Sequence, residues 1–200
     1  MRTTAEETQR NDETIITAAI KVFSEKGYDA ASMQDIADEA NISRGPLYYR
    51  YKTKKDIYMA AMDAFAKREL GEQARILRQK IPPVAKMREY LYFATKSIRE
   101  DINAFPMDFF PDPKMQDVNN RIREIYSWSY EITKRFVQAA IQENELSPDT
   151  DVDGFVNIIF VIFDGLRYSR MKSGVIPSDE ELEKTVDQIC NMLIAGYGIE

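Results

Sequence analysis

Between Ala40 and Lys55 the chain carries five basic side chains, Arg44, Arg50, Lys52, Lys54 and Lys55, together with Tyr48, Tyr49 and Tyr51, and no carboxylate. Guanidinium, ammonium and phenol groups in such a cluster donate hydrogen bonds to phosphate oxygens and to the acceptor edges of bases. The chain as a whole has the opposite sign, with a formal net charge of −6. Phosphate attraction acts within a Debye length of about 8 Å at physiological salt, so the local patch counts for more than the total. Charge by itself is also what an ordinary solvated helix displays. The argument therefore turns on the elements that present these side chains.

Other chemistry is poorly supplied. Histidine is absent, which removes the commonest general base and the commonest metal ligand together. No glycine-rich phosphate loop, no Cys/His metal spacing and no Ser/His or Cys/His set occurs, and no pair of carboxylates is marked for catalysis. The expectation is a protein that is not an enzyme and needs no cofactor or metal. Hydrophobic content of 44% beside 30% charge is enough to bury a core. The longest wholly apolar run, Ile158 to Phe163, is far too short to span a bilayer, and the polar N-terminus lacks the apolar stretch of a signal peptide. The single cysteine, Cys190, forms no internal disulfide and fits a reducing, cytoplasmic setting.

The basic cluster ends a pair of short helices. Met33, Ile36, Ala37 and Ala40 recur at the three- and four-residue intervals of one helix face. Ser32 stands ahead as an N-cap, with Asp35 placed to complete a capping box. Asn41 tolerates the left-handed backbone that a sharp exit needs. Ser43 is then expected to cap a second helix whose inward residues are Leu47 and Tyr51. Arg44, Gly45, Pro46, Tyr49 and Arg50 are left facing outward. Such a pair is the skeleton of a helix-turn-helix, which lays its second helix in a DNA major groove.

Helical patterns fill the rest. A first helix is expected over about Glu13 to Lys26, with Ile16, Ala19, Ile20 and Phe23 inward and Gly27 ending it. Thr53 caps a long helix towards Lys80, stopped by Pro82 and Pro83; another follows to about Asn103 with Tyr90, Tyr92 and Phe93. Residues 104 to 113 break the pattern with three prolines, yet hold Phe105, Met107, Phe109 and Phe110. A long helix from about Lys114 to Asn144 carries Ile122, Ile125, Trp128 or Ser129, Ile132, Phe136 and Ala140. After the Ser147-Pro148-Asp149 turn, a helix over about Asp151 to Lys172 is apolar all round near its middle, so it is expected to be buried all round, with a second protomer as the easiest cover. Ser178 caps a last helix striped with Leu182, Val186, Ile189, Leu193 and Tyr197. No strand pattern appears. The predicted architecture is all-α with about nine helices: a three-helix head over residues 1–56, and a helical effector-binding and dimerisation domain over 57–200.

Residues 14 to 58 resemble the N-terminal DNA-binding domain of the TetR family of transcriptional regulators. The resemblance rests on Ala19, Phe23, Gly27-Tyr28, Ile36-Ala37, the run Ser43 to Tyr51, and Lys54. It implies a homodimer, joined through the last two helices, that binds an inverted-repeat operator in double-stranded DNA and answers to a small hydrophobic effector. Such a protein would be a repressor released by its ligand; a ligand-responsive activator or a helical protein-interaction module are the alternatives. Asn41 replaces the usual Gly, and Pro46 stands where Thr is common. Carried over residue by residue, the DNA contacts implied are Ser32, Met33, Gln34, Ser43, Arg44, Gly45, Pro46, Tyr48, Tyr49 and Lys54. Arg44 would read a base, Lys54 would grip a phosphate, and Met33 would lie near the DNA or in the core. The effector pocket implied draws on Met62, Phe93, Phe109, Phe110, Trp128, Ile132 and Phe160, with Asn157, Asp164 and Arg167 as orienting polar groups; a packed apolar core is the plainer reading of the same residues. For outward-facing Arg50 the alternative is an ion pair with a neighbour such as Asp56, and Lys52 and Lys55 are expected to be solvated.

Overall fold

The structure, a computed structural model, describes residues 4–101, 112–173 and 177–197. Eight α-helices follow one another, with no strand among the described residues: α1 (Thr4–Ala30), α2 (Met33–Glu39), α3 (Arg44–Arg50), α4 (Lys54–Leu77), α5 (Pro83–Asp101), α6 (Gln116–Gln142), α7 (Val152–Ser173) and α8 (Asp179–Tyr197). The all-α class is as expected, with eight helices rather than about nine. Pro113–Met115 adds one 3-10 turn, in which the Asp112 carboxylate accepts the Lys114 N–H at 2.9 Å. The aromatic segment with Phe105, Met107, Phe109 and Phe110 lies outside the described residues.

The chain divides into two compact units, Met1–Arg68 with Asp101–Val118, and Glu69–Glu100 with Asn119–Glu200. The division between Arg68 and Glu69 falls inside α4. The first unit closes on Phe23, Ile36, Leu47, Ile57 and Tyr58, all fully buried. Along α1 the inward face is Ile15, Ala18, Ala19, Val22 and Phe23, while Ile16 and Ile20 are half-buried. The expected stripe was therefore rotated by about one residue from the true one. Phe23 and Tyr58 meet edge to face at 4.9 Å, and Tyr28 joins Tyr58 at 4.8 Å.

Local signals set where these helices begin and end. Gly27 has φ 72 and ψ 171, a region open in practice only to glycine, and it breaks the helical course of α1 where a stop was expected. Asn41 has φ 53; its N–H reaches the Asp38 carbonyl at 3.1 Å and the Ile42 N–H reaches Ala37 at 3.0 Å. That pair of bonds is a Schellman motif. Asn144, φ 58, ends α6 in the same way, with Asn144 N–H on Ile141 and Glu145 N–H on Ala140. Capping boxes open α2 (Ser32, Asp35), α4 (Thr53, Asp56) and α8 (Ser178, Glu181).

The second unit is built on Ile76, Met87, Leu91, Phe136, Val137, Phe155, Val186 and Leu193. Buried Cys190 also belongs to this core, beside the expected α8 stripe. The Ser147 N–H binds the Tyr197 carbonyl at 2.9 Å, fixing the end of α8 to the turn before α7. α7 is covered by its own chain on one face. Phe155, Val156 and Ile159 are buried, but Ile158, Val161 (71% exposed) and Tyr168 lie open on the opposite face. Within one chain α7 is one-sided, not buried all round.

At the start of α2, hydrogen bonds from Lys26, then from the Ser32 side chain and backbone, bring the Asp35 pKa from 3.8 down to about 2. Its ion pair with Lys26 spans 2.7 Å. A depressed folded pKa gives stability that is present above the unfolded value and is lost as pH falls through the folded one. Acid titration of the folded protein should show a loss between about pH 4 and pH 2 that Asp35→Asn removes. Equal acid sensitivity of the two proteins by circular dichroism would contradict this.

Candidate nucleic-acid interface

A seven-residue helix cannot hold itself together in water, so α3 must be held from outside. Its one fully buried side chain, Leu47, plugs it into the first unit, and half-buried Tyr51 follows at its end. Every other side chain of α3 is exposed: Arg44, Gly45, Pro46, Tyr48 (44%), Tyr49 (84%) and Arg50. The outward set is the one the spacing predicts, with Tyr48 wetter than a core residue.

The N-terminus of α3 differs from expectation. Ser43 occupies the N-cap position but makes no side-chain capping bond. An N-cap hydroxyl normally accepts the N–H two or three residues on, and Pro46, at the third position, has none. The Ser43 hydroxyl and the first turn of α3 consequently stay on the exposed face.

One residue of the outward set is tied to α2, and one expected contact residue of α2 is withdrawn. The Arg44 guanidinium donates through Nε to the Gln34 amide oxygen, and the Gln34 amide N–H₂ donates to Asp38. Asp38, Gln34 and Arg44 thus form a chain across the helix pair. Ser32 is exposed, although its hydroxyl and N–H serve the capping box at 2.8–3.1 Å. Met33 is only 8% exposed and packs into the core, so of its two expected positions the structure gives the inner one.

The basic residues are more engaged than the sequence suggests. Arg50 pairs with Asp12 of α1, not with Asp56. Lys55 forms an ion pair with Asp117 at 2.8 Å and donates to the Lys114 carbonyl at 3.1 Å, so it is paired rather than solvated. Lys52 donates to the Tyr48 and Tyr49 carbonyls at 3.2 and 3.3 Å, at the C-terminal end of α3, where a cation complements the helix dipole. Lys54 shows the largest difference. Its ammonium donates to three carbonyls, Tyr28 at 2.6 Å, Ala31 at 2.9 Å and Asp29 at 3.1 Å, and lies 4.4 Å from the centre of the Tyr28 ring. An ammonium has three donors, and all three point inward to the end of α1. The phosphate grip implied for Lys54 is not its geometry here.

The residues expected to line an effector pocket differ in burial. Met62 is buried in the first unit. Phe93, Ile132 and Phe160 are half-buried in the second. Trp128 is 39% exposed, its ring 4.6 Å from the Arg121 guanidinium. Asn157 and Asp164 are exposed because they share the outer face of α7 with Val161. Burial, then the charge of Asp164, raises the pKa of Tyr126. Phe109 and Phe110 lie outside the described residues, as does the Arg167 side chain. Tyr90, expected on the aromatic face of α5, and the unanticipated Gln73 and Thr133 are buried in the second unit. They occupy core positions of helical stripes, which periodicity reads as apolar packing.

Residues 15–61 match the model of the bacterial regulatory proteins, tetR family. The biofilm operon icaADBC HTH-type negative transcriptional regulator IcaR of Staphylococcus epidermidis is 45% identical over 49 residues, which is 24% of this chain and 26% of that protein. Its counterpart from Staphylococcus aureus strain Newman is 52% identical over 44 residues, 22% and 24% of the two chains. The matched stretch thus covers about a quarter of the length of these relatives. Over nearly the whole chain the fold is similar to two solved regulators. FadR of Bacillus subtilis, in complex with stearoyl-CoA, has a TM-score of 0.74 at 20% identity, covering 92% of this chain and 98% of that one. The ketosteroid regulator KstR2 of Mycobacterium tuberculosis has 0.70 at 19% identity, covering 96% of each. The family match is confined to residues 15–61, the segment that holds the helix pair α2 and α3, and the solved structures extend the likeness of fold to nearly the whole chain.

Proposed function

We propose that this chain is a sequence-specific DNA-binding transcriptional regulator, a repressor that leaves its operator when a small hydrophobic ligand binds the second unit. The observation that carries this reading is α3 itself. A single buried leucine anchors it, and the rest of its surface, Arg44 through Arg50, is exposed and contains no acidic side chain. Nothing in the folding of the first unit needs two exposed tyrosines beside an arginine; a major groove would use all three. The negative regulators matched in this segment, and the acyl-CoA carried by the FadR structure, support the repressor and hydrophobic-effector parts of the reading.

The working form is a homodimer. Ile158, Val161 and Tyr168 of α7 and Met192 of α8 are large apolar or aromatic side chains left open on one chain. An exposed apolar patch of that kind marks an association surface, and a second copy of the same two helices is the cover we assign to it. Two recognition helices must lie about 34–36 Å apart to enter successive major grooves on one face of the duplex. A ligand preferring another spacing would draw the dimer off DNA, by no more than its differential affinity for the two states.

Three measurements test this. Arg44→Ala should relax discrimination at one operator base pair by about 1–3 kcal/mol while random-sequence affinity changes little; equal losses on operator and random duplex would remove Arg44 from base reading. Lys54→Met should destabilise the protein by about 1–3 kcal/mol in urea unfolding, because three carbonyls lose a charged donor. The slope of log affinity against log salt should stay as in the wild type, whereas a lost phosphate contact would lower it by about 0.9. Val161→Glu should convert the dimer to monomer in sedimentation and abolish operator binding; a Val161→Glu dimer that binds normally would place the association surface elsewhere.

A further inference from the structure

The core of the second unit contains a small polar island. Gln73 of α4 is 1% exposed, Tyr90 of α5 is 6% exposed and Thr133 of α6 is wholly buried, amid Ile76, Leu91, Phe136 and Val137. The Tyr90 hydroxyl is its centre. Gln73 Nε2 donates to it at 3.4 Å, and it also hydrogen-bonds to Thr133 and Ser129. Thr133 Oγ1 in turn donates to the Ser129 carbonyl at 2.8 Å. Burial raises the Tyr90 pKa to about 12, so the phenol stays neutral. The Gln73 amide oxygen reaches no protein partner.

A buried amide needs partners on both of its polar atoms, and leaving one unmatched opposes folding. Turning the Gln73 amide over does not help. The Tyr90 hydroxyl can serve one side of it, and the other side is then left over. Replacing Gln73 with an apolar residue of equal length would remove the conflict, so the polar island is suited to something beyond core packing. Two half-buried residues lie on the same helix faces. Phe93 is one turn after Tyr90 on α5, and Ile132 is one turn after Ser129 on α6. Polar atoms at one end and incompletely covered apolar side chains along the same faces suit a molecule of matching polarity.

We infer that Gln73, with Tyr90, forms a subsite for the hydroxyl group of an otherwise apolar ligand, whose hydrocarbon part lies along Phe93 and Ile132. With Gln73 Nε2 donating to Tyr90, the amide oxygen lacks a donor, which a hydroxyl supplies and an ether does not. A carboxylate would be left unpaired, because the island holds no cation. This rests on the proposed effector role of the second unit and narrows the class of effector.

The test uses two isomers, n-octanol and methyl heptyl ether, of equal size and composition, of which only the alcohol can donate. Thermal unfolding of the full chain is followed with each, for wild type and for Gln73→Met. In the wild type, octanol should raise the melting temperature saturably, by about 3–5 °C at ten times its half-saturating concentration, and the ether by clearly less. Gln73→Met alone should melt at or above the wild type and should respond equally to both isomers. Equal shifts in the wild type, an octanol preference that survives in Gln73→Met, or a lower melting temperature for the variant would each overturn the subsite, the last by showing that water already satisfies the amide. Operator binding is measured alongside. If octanol binds through Gln73 without loosening the DNA complex, the subsite stands and the effector reading falls; if Gln73→Met binds operator normally and neither isomer is distinguished, the reverse holds.

Discussion

One ammonium group ties the start of α4 to the segment that joins α1 to α2 in the first unit. Lys54 opens α4, and its three hydrogen bonds end on carbonyls of Tyr28, Asp29 and Ala31, in the segment between the break in α1 and the cap of α2. Those carbonyls include ones that the end of a helix leaves without intrahelical partners. Gly27 turns the chain so that they face one point, and the Tyr28 ring covers the cation from the side. The position of α2 follows from this clasp. The position of α3 follows from α2 through the Asn41 turn and from Leu47. A side chain that the resemblance implies as a ligand for phosphate is here a tie beneath the exposed face of α3.

The same economy shapes α3. Seven residues supply too few hydrogen bonds to overcome nucleation, and the usual help of an N-cap side-chain bond is missing because Pro46 offers no N–H. Proline compensates in another way, since its fixed φ is already that of a helix in its first turn. Burial of Leu47 does the rest. The result is a helix whose surface is nearly all available for contact, with Arg44 steadied by Gln34, and Arg50 and Lys52 engaged to α1 and to the C-terminal end of α3. Charge on this face is arranged by bonds within the chain itself.

The second unit resolves burial differently. Its apolar stripes pack into a continuous core, yet Gln73, Tyr90 and Thr133 take positions where leucine or valine would satisfy the same periodicity. Buried polar networks are either satisfied or costly, and this one is incomplete at a single amide atom. On α7 the conflict has the other sign, with apolar side chains at Ile158 and Val161 facing outward. Both departures from simple core logic lie in the part of the chain where the family resemblance carries no residue-level information.

Helix class, turns and most caps were legible from residue order alone; the Ser43 side-chain bond does not form, and Asp56 as the partner of the Thr53 cap was not read. Ser32 with Asp35, Thr53 with Asp56, Asn41 and Gly27 act through bonds to residues within five positions, so their identity and spacing contain the whole interaction. The outward set of α3 was legible for the same reason, being a matter of helical period. Tertiary structure alone decided the partners of the long charged side chains: Lys54 reaches back to the end of α1, Arg50 to Asp12, and Lys55 forward to Asp117. It also decided that Met33 turns inward, that Trp128, Asn157 and Asp164 turn outward, and that three polar residues from three helices meet in a core. A flexible side chain can satisfy its charge with any group that the fold brings within reach. Local spacing sets where a helix stops and which face it shows, whereas which distant residue meets that face depends on packing across the whole unit.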